Sequence, residues 1–203
     1  VNVPQLKKLR PDLIFLEDNC EGFLGKYGNK YTGTECFASS ISFFGNKTIT
    51  SGEGGAFITN DEEVFDYINK IKSQGQSNEK FIHDVLGYNY RMTNIQAAIL
   101  YGQLETLDDI KGKKQNIFNR YKSNFEKCSD ISFQKIEDGT EHSQWMFGLR
   151  FHNFTVEQKK ELELHLFHVG IDTRPMFYEM KKHNYLSHID NNDKNSVLLN
   201  HQC

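Results

Sequence analysis

The sequence lacks the motifs by which several large protein classes are identified. Its four cysteines form no CxxC pair and its eight histidines form no HxxxH or HExxH motif, so we expect scattered thiols and no metal site. No apolar run reaches membrane-spanning length and no signal peptide is recognised, which favours a cytoplasmic protein. The net charge is only −3, with both signs interspersed, so neither a nucleic acid nor an acidic membrane is an expected partner.

The two ends of the sequence indicate a piece of a longer polypeptide. Residues 1–18 have the pattern of a helix end followed by a strand, and the last residues form an amphipathic stretch without a terminal signal. A length of 203 residues suits one large domain or one and a half ordinary ones. We therefore expect an internal fragment that contains parts of two domains.

Strand and helix patterns alternate in the first half of the chain, which is typical of an α/β fold with a mainly parallel sheet. The predicted strands are residues 12–16, 41–44 and 56–59, with a turn or hairpin at 27–32. Asn60 with Glu63, and Thr93 with Gln96, form capping boxes that predict the start of two helices. Gly75 is expected to end the first helix, and the second is expected to be long and bent near Gly112.

The pattern changes after Cys128. Residues 131–134 have the composition of a strand, and Trp145, Phe147, Leu149 and Phe151 alternate as in a half-buried strand. Thr155 with Gln158 predicts one more helix, which closes at Gly170. These elements favour the start of a smaller α+β domain, so the predicted division is 1–108, a connecting helix at 109–128, and 129–203.

Lys47 is the first candidate for a chemical role. It lies between a predicted buried strand and a turn that contains Gly52, Gly54 and Gly55. A single lysine after a strand is usually a solvated loop residue. Glycines so close to it, however, permit backbone shapes and close approaches that side chains would block. Burial beside a cofactor frees a lysine amine for nucleophilic attack.

Asp18 is the expected partner of this lysine. It follows the apolar residues of a predicted strand, at the end where open α/β sheets place their ligands, although an acidic residue there often only caps a turn. A lysine opposed by a carboxylate is what a pyridoxal phosphate enzyme needs: the amine binds the cofactor, and the acid keeps its ring nitrogen protonated. Glu21, Ser42 and Arg91 are further candidates, each of which has an ordinary structural alternative.

Four segments together resemble the DegT/DnrJ/EryC1/StrS family of sugar aminotransferases, a branch of the fold-type I pyridoxal phosphate enzymes. They are EDNCEGFLG, SFFGNKTITSGEGGAFITND, HDVLGYNYRMTNIQAAI and DTRPMFY. The resemblance implies a large cofactor-binding domain followed by the start of a small one. The second and third segments are most similar to members that aminate C4 of GDP-4-keto-6-deoxymannose, with glutamate as the expected amino donor, in the biosynthesis of polysaccharide sugars.

The resemblance also implies a role for each candidate. Lys47 would bind pyridoxal 5'-phosphate covalently and move a proton between the cofactor and the sugar. Asp18 would pair with the ring nitrogen, Glu21 would lie near the ring oxygen, and Ser42 would bind the phosphate. Asn89 would reach the phosphate in a neighbouring subunit, so a homodimer with a shared site is expected.

Arg91, Arg174 and Lys181 are implied as weaker contacts for the substrate. Relatives often have the pattern RPxFYPxH after the arginine, whereas this chain has Glu179 in place of the second proline and Lys181 in place of the histidine. The identity of the nucleotide and of the sugar therefore stays open.

Two alternatives remain beside the transaminase. The first is a sugar 3-dehydrase, in which relatives replace the cofactor-binding lysine by histidine, whereas this chain retains Lys47. The second is a non-catalytic binding or regulatory protein on the same scaffold, which would have no need of a proton-transferring lysine.

Overall fold

The computed structural model describes residues 1–189 and 194–203, which form two compact units. The first unit holds Val1–Asn116 and Ile136–Trp145, and the second holds Ile117–Lys135 and Met146–Cys203. The strands are β1 Leu16–Asp18, β2 Lys26–Tyr27, β3 Lys30–Tyr31, β4 Ala38–Ser42, β5 Gly55–Thr59, β6 Ile131–Phe133, β7 Thr140–Glu141 and β8 Leu149–Phe151. The helices are α1 Val3–Leu9, α2 Glu62–Lys72, α3 Asn94–Glu105, α4 Leu107–Phe125, α5 Val156–His168 and α6 Lys194–Gln202, with short 3-10 turns at Met180–Lys182 and Asn184–Leu186. The division into domains predicted from the sequence stays a prediction.

A three-stranded sheet of order β1-β4-β5 lies in the first unit. β1 is parallel to β4, and Asp18 is opposite Ser40 in their register. β5 is antiparallel to β4 because the glycine-rich segment 45–54 returns the chain directly, without the helical crossover that a parallel neighbour needs. The α/β fold class is as predicted, and this sheet combines one parallel pairing with one antiparallel pairing.

Two predicted strands have different bounds in the structure. The strand expected at 12–16 occupies Leu16–Asp18 instead. Residues 10–13 form a turn, because the Arg10 side chain pairs with Asp12 and the Arg10 carbonyl oxygen accepts a hydrogen bond from the Leu13 amide. The strand expected at 41–44 is Ala38–Ser42. Beyond it, the backbone of Phe43 bonds to Gly54 and Ser51 across the turn. The hairpin expected at 27–32 is confirmed by the pairing of β2 with β3.

The core of the first unit is small and lies beneath the turn that carries Lys47. Its buried members are Ile41, Phe43, Ile49 and Leu100, and Ile49 is only 1% exposed. Phe23 adds an edge-on contact with Phe43, with ring centroids 6.1 Å apart. Because Ile49 comes two residues after Lys47, its burial fixes the backbone of the turn from below.

The helix starts are set by local hydrogen bonds. Thr93 and Gln96 form the predicted capping box at the start of α3, and Thr155 and Gln158 do the same for α5. The cap predicted at Asn60 is wrong by one residue: the Asp61 side chain accepts the amide of Val64 and begins α2. The long helical region is interrupted at Thr106, between α3 and α4, and not at Gly112.

One expectation about a buried face needs correction. The helical spacing of Val64, Phe65, Ile68 and Ile71 predicts a buried face on α2, but this face is only partly buried, and Phe65 is 57% exposed. Within the described residues, no helix combines the length and the apolar character that a bilayer crossing requires.

The second unit contains the antiparallel pair β6–β8, with Ile131 opposite Phe151. The strand predicted from the alternation of Trp145 to Phe151 is shorter than expected, because only its last three residues pair. Phe147 turns instead into an aromatic cluster, with its ring centroid 5.2 Å from Phe118, 5.0 Å from Tyr121 and 5.6 Å from Phe133.

Candidate functional site

Lys47 lies in the turn that follows β4, with its amide bonded to the carbonyl of Phe44. Its Nζ forms an ion pair with Oε1 of Glu21 and lies 4.6 Å from the ring centroid of Trp145. The Lys47 side chain is only 10% exposed, whereas that of Glu21 is 43% exposed. A lysine covered in this way is not a solvated loop residue, since its charge is buried against a specific partner. The structure therefore holds an amine at a defined place beside a carboxylate.

Asp18 ends β1 with its side chain exposed. Its Oδ1 accepts the amide of Cys20 at 3.1 Å. The pKa of Asp18 is lowered, mainly by hydrogen bonds from the thiol and the amide of Cys20, and further by the positive charge of Lys47. Burial raises the pKa of the Cys20 thiol, which stays protonated. Asp18 is thus a stable negative charge near the Lys47 ammonium.

The glycine-rich turn brings the backbone close to this region. Gly52 and Gly54 have φ values of +82° and +119°, which L side chains rarely adopt. A Cβ on Gly55 would lie 2.6 Å from the carbonyl oxygen of Ile41. The half-buried Ser42 stands opposite Gly55 in the register of β4 and β5, and its Oγ accepts the amide of Phe44 at 3.3 Å.

Asn89 and Arg91 line a cavity of about 890 Å³ in the first unit. Ser40, Gly54 and Met92 also line this cavity. The backbone of Asn89 forms an isolated antiparallel β-bridge with Ser73. The rings of its neighbours Tyr88 and Tyr90 stack with their centroids 5.0 Å apart.

Two glycines allow the Asn89 segment to lie against the end of α2. A Cβ on Gly75 would lie 1.9 Å from the carbonyl oxygen of Val85, and a Cβ on Gly87 would lie 2.1 Å from the amide nitrogen of Gly75. This approach permits the Tyr88 amide to bond to Ile71 and the Tyr90 amide to Lys72. The position of Asn89 therefore depends on the absence of side chains at two points of contact.

The structure brings some of the predicted site residues together. Lys47, Glu21 and Asp18 form one charged group, and Ser42 is the last residue of β4, the strand that the Lys47 turn follows. Arg174 belongs to the second unit, where it is exposed and pairs with Asp172 at 3.1 Å. Lys181 lies in the same unit, in a 3-10 turn, and is also exposed.

Trp145 was missed as a residue of this group. Its Nε1 donates a hydrogen bond to the carbonyl oxygen of Asn46 at 3.0 Å, across 99 positions of sequence. The alternating pattern around it predicted a strand residue, and no local motif marks a contact over this distance. Cys20, which fixes the charge of Asp18, was also not singled out.

Comparison with known proteins places these residues in a family context. Residues 2–201 match the DegT/DnrJ/EryC1/StrS aminotransferase family. GDP-perosamine synthase of Escherichia coli O157:H7 is 44% identical over 177 residues, which are 87% of this chain and 47% of the relative. The chain thus spans about half the length of the curated relatives it matches.

Solved structures show the same fold. Helicobacter pylori PseC, an aminotransferase of pseudaminic acid biosynthesis, superposes with a TM-score of 0.90 at 24% identity, over 100% of this chain and 56% of that protein. The PLP form of Spr1654 from Streptococcus pneumoniae superposes with a TM-score of 0.84 at 19% identity, over 93% of this chain and 51% of that protein.

Proposed function

This chain belongs to the DegT/DnrJ/EryC1/StrS aminotransferase family, and we propose that it forms part of an enzyme that transaminates a nucleotide-linked 4-keto-6-deoxy sugar with pyridoxal 5'-phosphate. The observation that carries this proposal is the placement of Lys47. Its amine is covered, is paired with Glu21, and lies near the charged carboxylate of Asp18. A binding protein has no need of this arrangement, whereas transamination needs a proton-transferring amine.

The chemistry of these residues fits pyridoxal phosphate. A protonated ring nitrogen needs a carboxylate that remains charged, and the lowered pKa of Asp18 supplies one. A covalently bound aldehyde needs an amine, which Lys47 supplies. The bare backbone at Gly54 and the hydroxyl of Ser42 suit the close approach of a phosphate.

When bound, pyridoxal phosphate supplies an electron sink that stabilises negative charge on the reacting carbon. The residues of this chain do the rest. Asp18 would hold a proton at the ring nitrogen through its negative charge. Glu21 would orient the Lys47 side chain through their ion pair. Lys47 Nζ would carry a proton between the cofactor and the substrate.

The substrate is proposed from similarity. The relative from Escherichia coli is a GDP-perosamine synthase, so we assign this chain a GDP-linked 4-keto-6-deoxy sugar and glutamate as the amino donor, in the biosynthesis of polysaccharide sugars. Arg91, Arg174 and Lys181 are the proposed contacts for substrate anions. The cytoplasmic location expected from the sequence stays a prediction.

A homodimer is proposed as the active unit. Asn89 is exposed and lies beside a cavity, in a segment fixed by backbone bonds to α2. From this place it would reach the cofactor phosphate of a second subunit, so that each site is completed by its neighbour.

The test uses the full-length protein. Purified protein is incubated with pyridoxal phosphate, glutamate and GDP-4-keto-6-deoxymannose, and formation of 2-oxoglutarate and of the amino sugar is followed. The wild type is expected to form both products, and Lys47→Ala is expected to form neither. Lys113→Ala is the matched control, because Lys113 is 72% exposed on α4. A wild type that releases no 2-oxoglutarate with glutamate, or a fully active Lys47→Ala, would contradict the proposal.

The 3-dehydrase alternative is less consistent with the residues present. Such relatives replace the lysine by histidine, and here Lys47 is retained and paired with Glu21. The same assay distinguishes the two reactions, since a dehydrase removes the C3 hydroxyl from the sugar and leaves no amine on it.

A further inference from the structure

The 136–145 segment is an excursion of the chain into the first unit. Residues before and after it belong to the second unit, yet Ile136–Trp145 packs with Val1–Asn116. Within it, β7 pairs with β2, and the Lys26 ammonium pairs with Glu141 at 3.1 Å. Ser143 Oγ donates to the carbonyl oxygen of Glu21 at 2.6 Å. The segment is therefore attached to the residue whose side chain binds Lys47.

The excursion ends at Trp145, the only tryptophan among the 203 residues. Its indole N–H bonds to the carbonyl oxygen of Asn46, the residue before Lys47. Its ring lies 4.6 Å from the Lys47 Nζ, well within the range of a cation–π contact. The Trp145 side chain thus contacts both the backbone next to Lys47 and the Lys47 ammonium.

The backbone that delivers Trp145 is itself held. Lys114, from α4, donates to the carbonyl oxygens of Gln144 and Trp145, each at 3.2 Å. Gln144 has φ +55°, a conformation that costs a non-glycine residue energy and persists only where the surroundings enforce it. The Gln144 amide is bonded to Nδ1 of His142 at 2.8 Å. Strain at this place indicates that the position of the next residue matters.

We propose that Trp145 is a positioning residue for Lys47, delivered by the 136–145 segment. The contacts form a closed ring, from Lys47 through Glu21, Ser143 and Trp145 back to Asn46. This ring of contacts restricts the Lys47 side chain to one rotamer. The amine would therefore be oriented toward the aldehyde carbon of the cofactor. The inference rests on the proposed function, because it assigns Trp145 a role in the reaction of Lys47 with the cofactor aldehyde.

The test measures the formation of the covalent bond between Lys47 and pyridoxal phosphate, independently of turnover. The full-length apoprotein is mixed with pyridoxal phosphate, quenched with borohydride at set times, and digested for mass spectrometry. The bond forms between the lysine nitrogen and the aldehyde carbon with loss of water, and hydride from borohydride reduces it to a stable amine. The variants are Trp145→Phe, which keeps a ring face without the indole N–H, and Trp145→Leu, which loses both.

We expect the rate at Lys47 to fall by about 5- to 30-fold in Trp145→Leu, with Trp145→Phe intermediate. The rate should decrease stepwise from wild type to Trp145→Phe to Trp145→Leu, because phenylalanine loses only the indole hydrogen bond and keeps the ring face. Phe81→Leu is the matched control: the Phe81 ring lies 5.0 Å from the Lys80 Nζ, in a cation–π pair that involves neither the 136–145 segment nor the strand that pairs with it. It is expected to leave the rate at Lys47 unchanged.

Lys114→Gln keeps the test decisive if Trp145→Leu does not fold, which far-ultraviolet circular dichroism would show. This variant leaves the indole intact and loosens the backbone that carries it, and it is expected to slow the reaction as well. If all three variants react at the wild-type rate, the proposal for Trp145 is wrong while the proposed function stands. If the wild type itself gains no label at Lys47, the proposed function is wrong.

Discussion

Replacing Gly87 by alanine tests how the fold positions Asn89. The new Cβ would lie 2.1 Å from the Gly75 nitrogen and 2.4 Å from the Gln74 carbonyl carbon. Both are backbone atoms, so the two segments must separate. Three backbone hydrogen bonds cross this contact, from Tyr88 to Ile71 at 2.6 Å, from Gln74 to Tyr88 at 2.9 Å and from Tyr90 to Lys72 at 3.0 Å. Weakening them is expected to cost about 2–4 kcal/mol of unfolding free energy.

Urea denaturation of the full-length protein provides the measurement. Gly112→Ala is the matched control, because the position is inside α4 and a Cβ there meets no heavy atom within 4 Å beyond its chain neighbours and the backbone of its own helix. Alanine at that helical position is expected to stabilise the protein by about 0.5–1 kcal/mol. Pyridoxal phosphate should also bind less tightly to Gly87→Ala, since Asn89 moves with the segment. An unfolding free energy equal to that of the wild type would refute the reasoning from contact distances.

Three further predictions follow from single side chains. Asp18→Asn is expected to weaken pyridoxal phosphate binding by at least about tenfold, while changing the unfolding free energy by less than about 0.5 kcal/mol because the side chain is exposed; equal affinity would contradict its role. Burial lowers the pKa of His142, so the unfolded chain takes up a proton first and stability should decrease as the pH falls below about 6.5. His142→Gln should reduce this pH dependence, by at most about 1.4 kcal/mol per pH unit, and an unchanged slope in urea titrations would oppose the assignment. Ile49→Ala should cost about 2–5 kcal/mol, since Ile49 is 1% exposed, and a loss below about 1 kcal/mol would show that the core is not as tightly packed as described.

The features that the sequence predicted well are those set by bonds between near neighbours. The capping boxes at Thr93 and Thr155 each close over three residues, so their pattern is legible without any tertiary information. The cap of α2 was assigned to Asn60 because two capable residues stand side by side. The hydrogen bond from the Asp61 amide to Thr59 Oγ1 favours the second of them, and that choice depends on backbone angles the sequence does not state.

In the candidate site too, the residues marked by a local pattern were predicted, and the residue that depends on a long-range contact was not. Asp18 and Lys47 were predicted from their places after two strands, and the structure brings their charges near each other. Trp145 was not predicted, since its contact with Asn46 spans 99 positions and requires the chain to return from the second unit. The bounds of β1 were also missed, because Leu13 and Ile14 are apolar yet 47% and 74% exposed.

The most direct test of the central claim is to locate the covalent attachment of pyridoxal phosphate in the full-length protein. Reduction of the bound cofactor with borohydride, followed by peptide mapping, identifies the lysine that carries it. We predict that the label is found on Lys47, in the peptide that contains the glycine-rich turn, and that it is absent from Lys47→Ala. A label on Lys111, Lys114 or any other lysine, with Lys47 unmodified, would contradict the account.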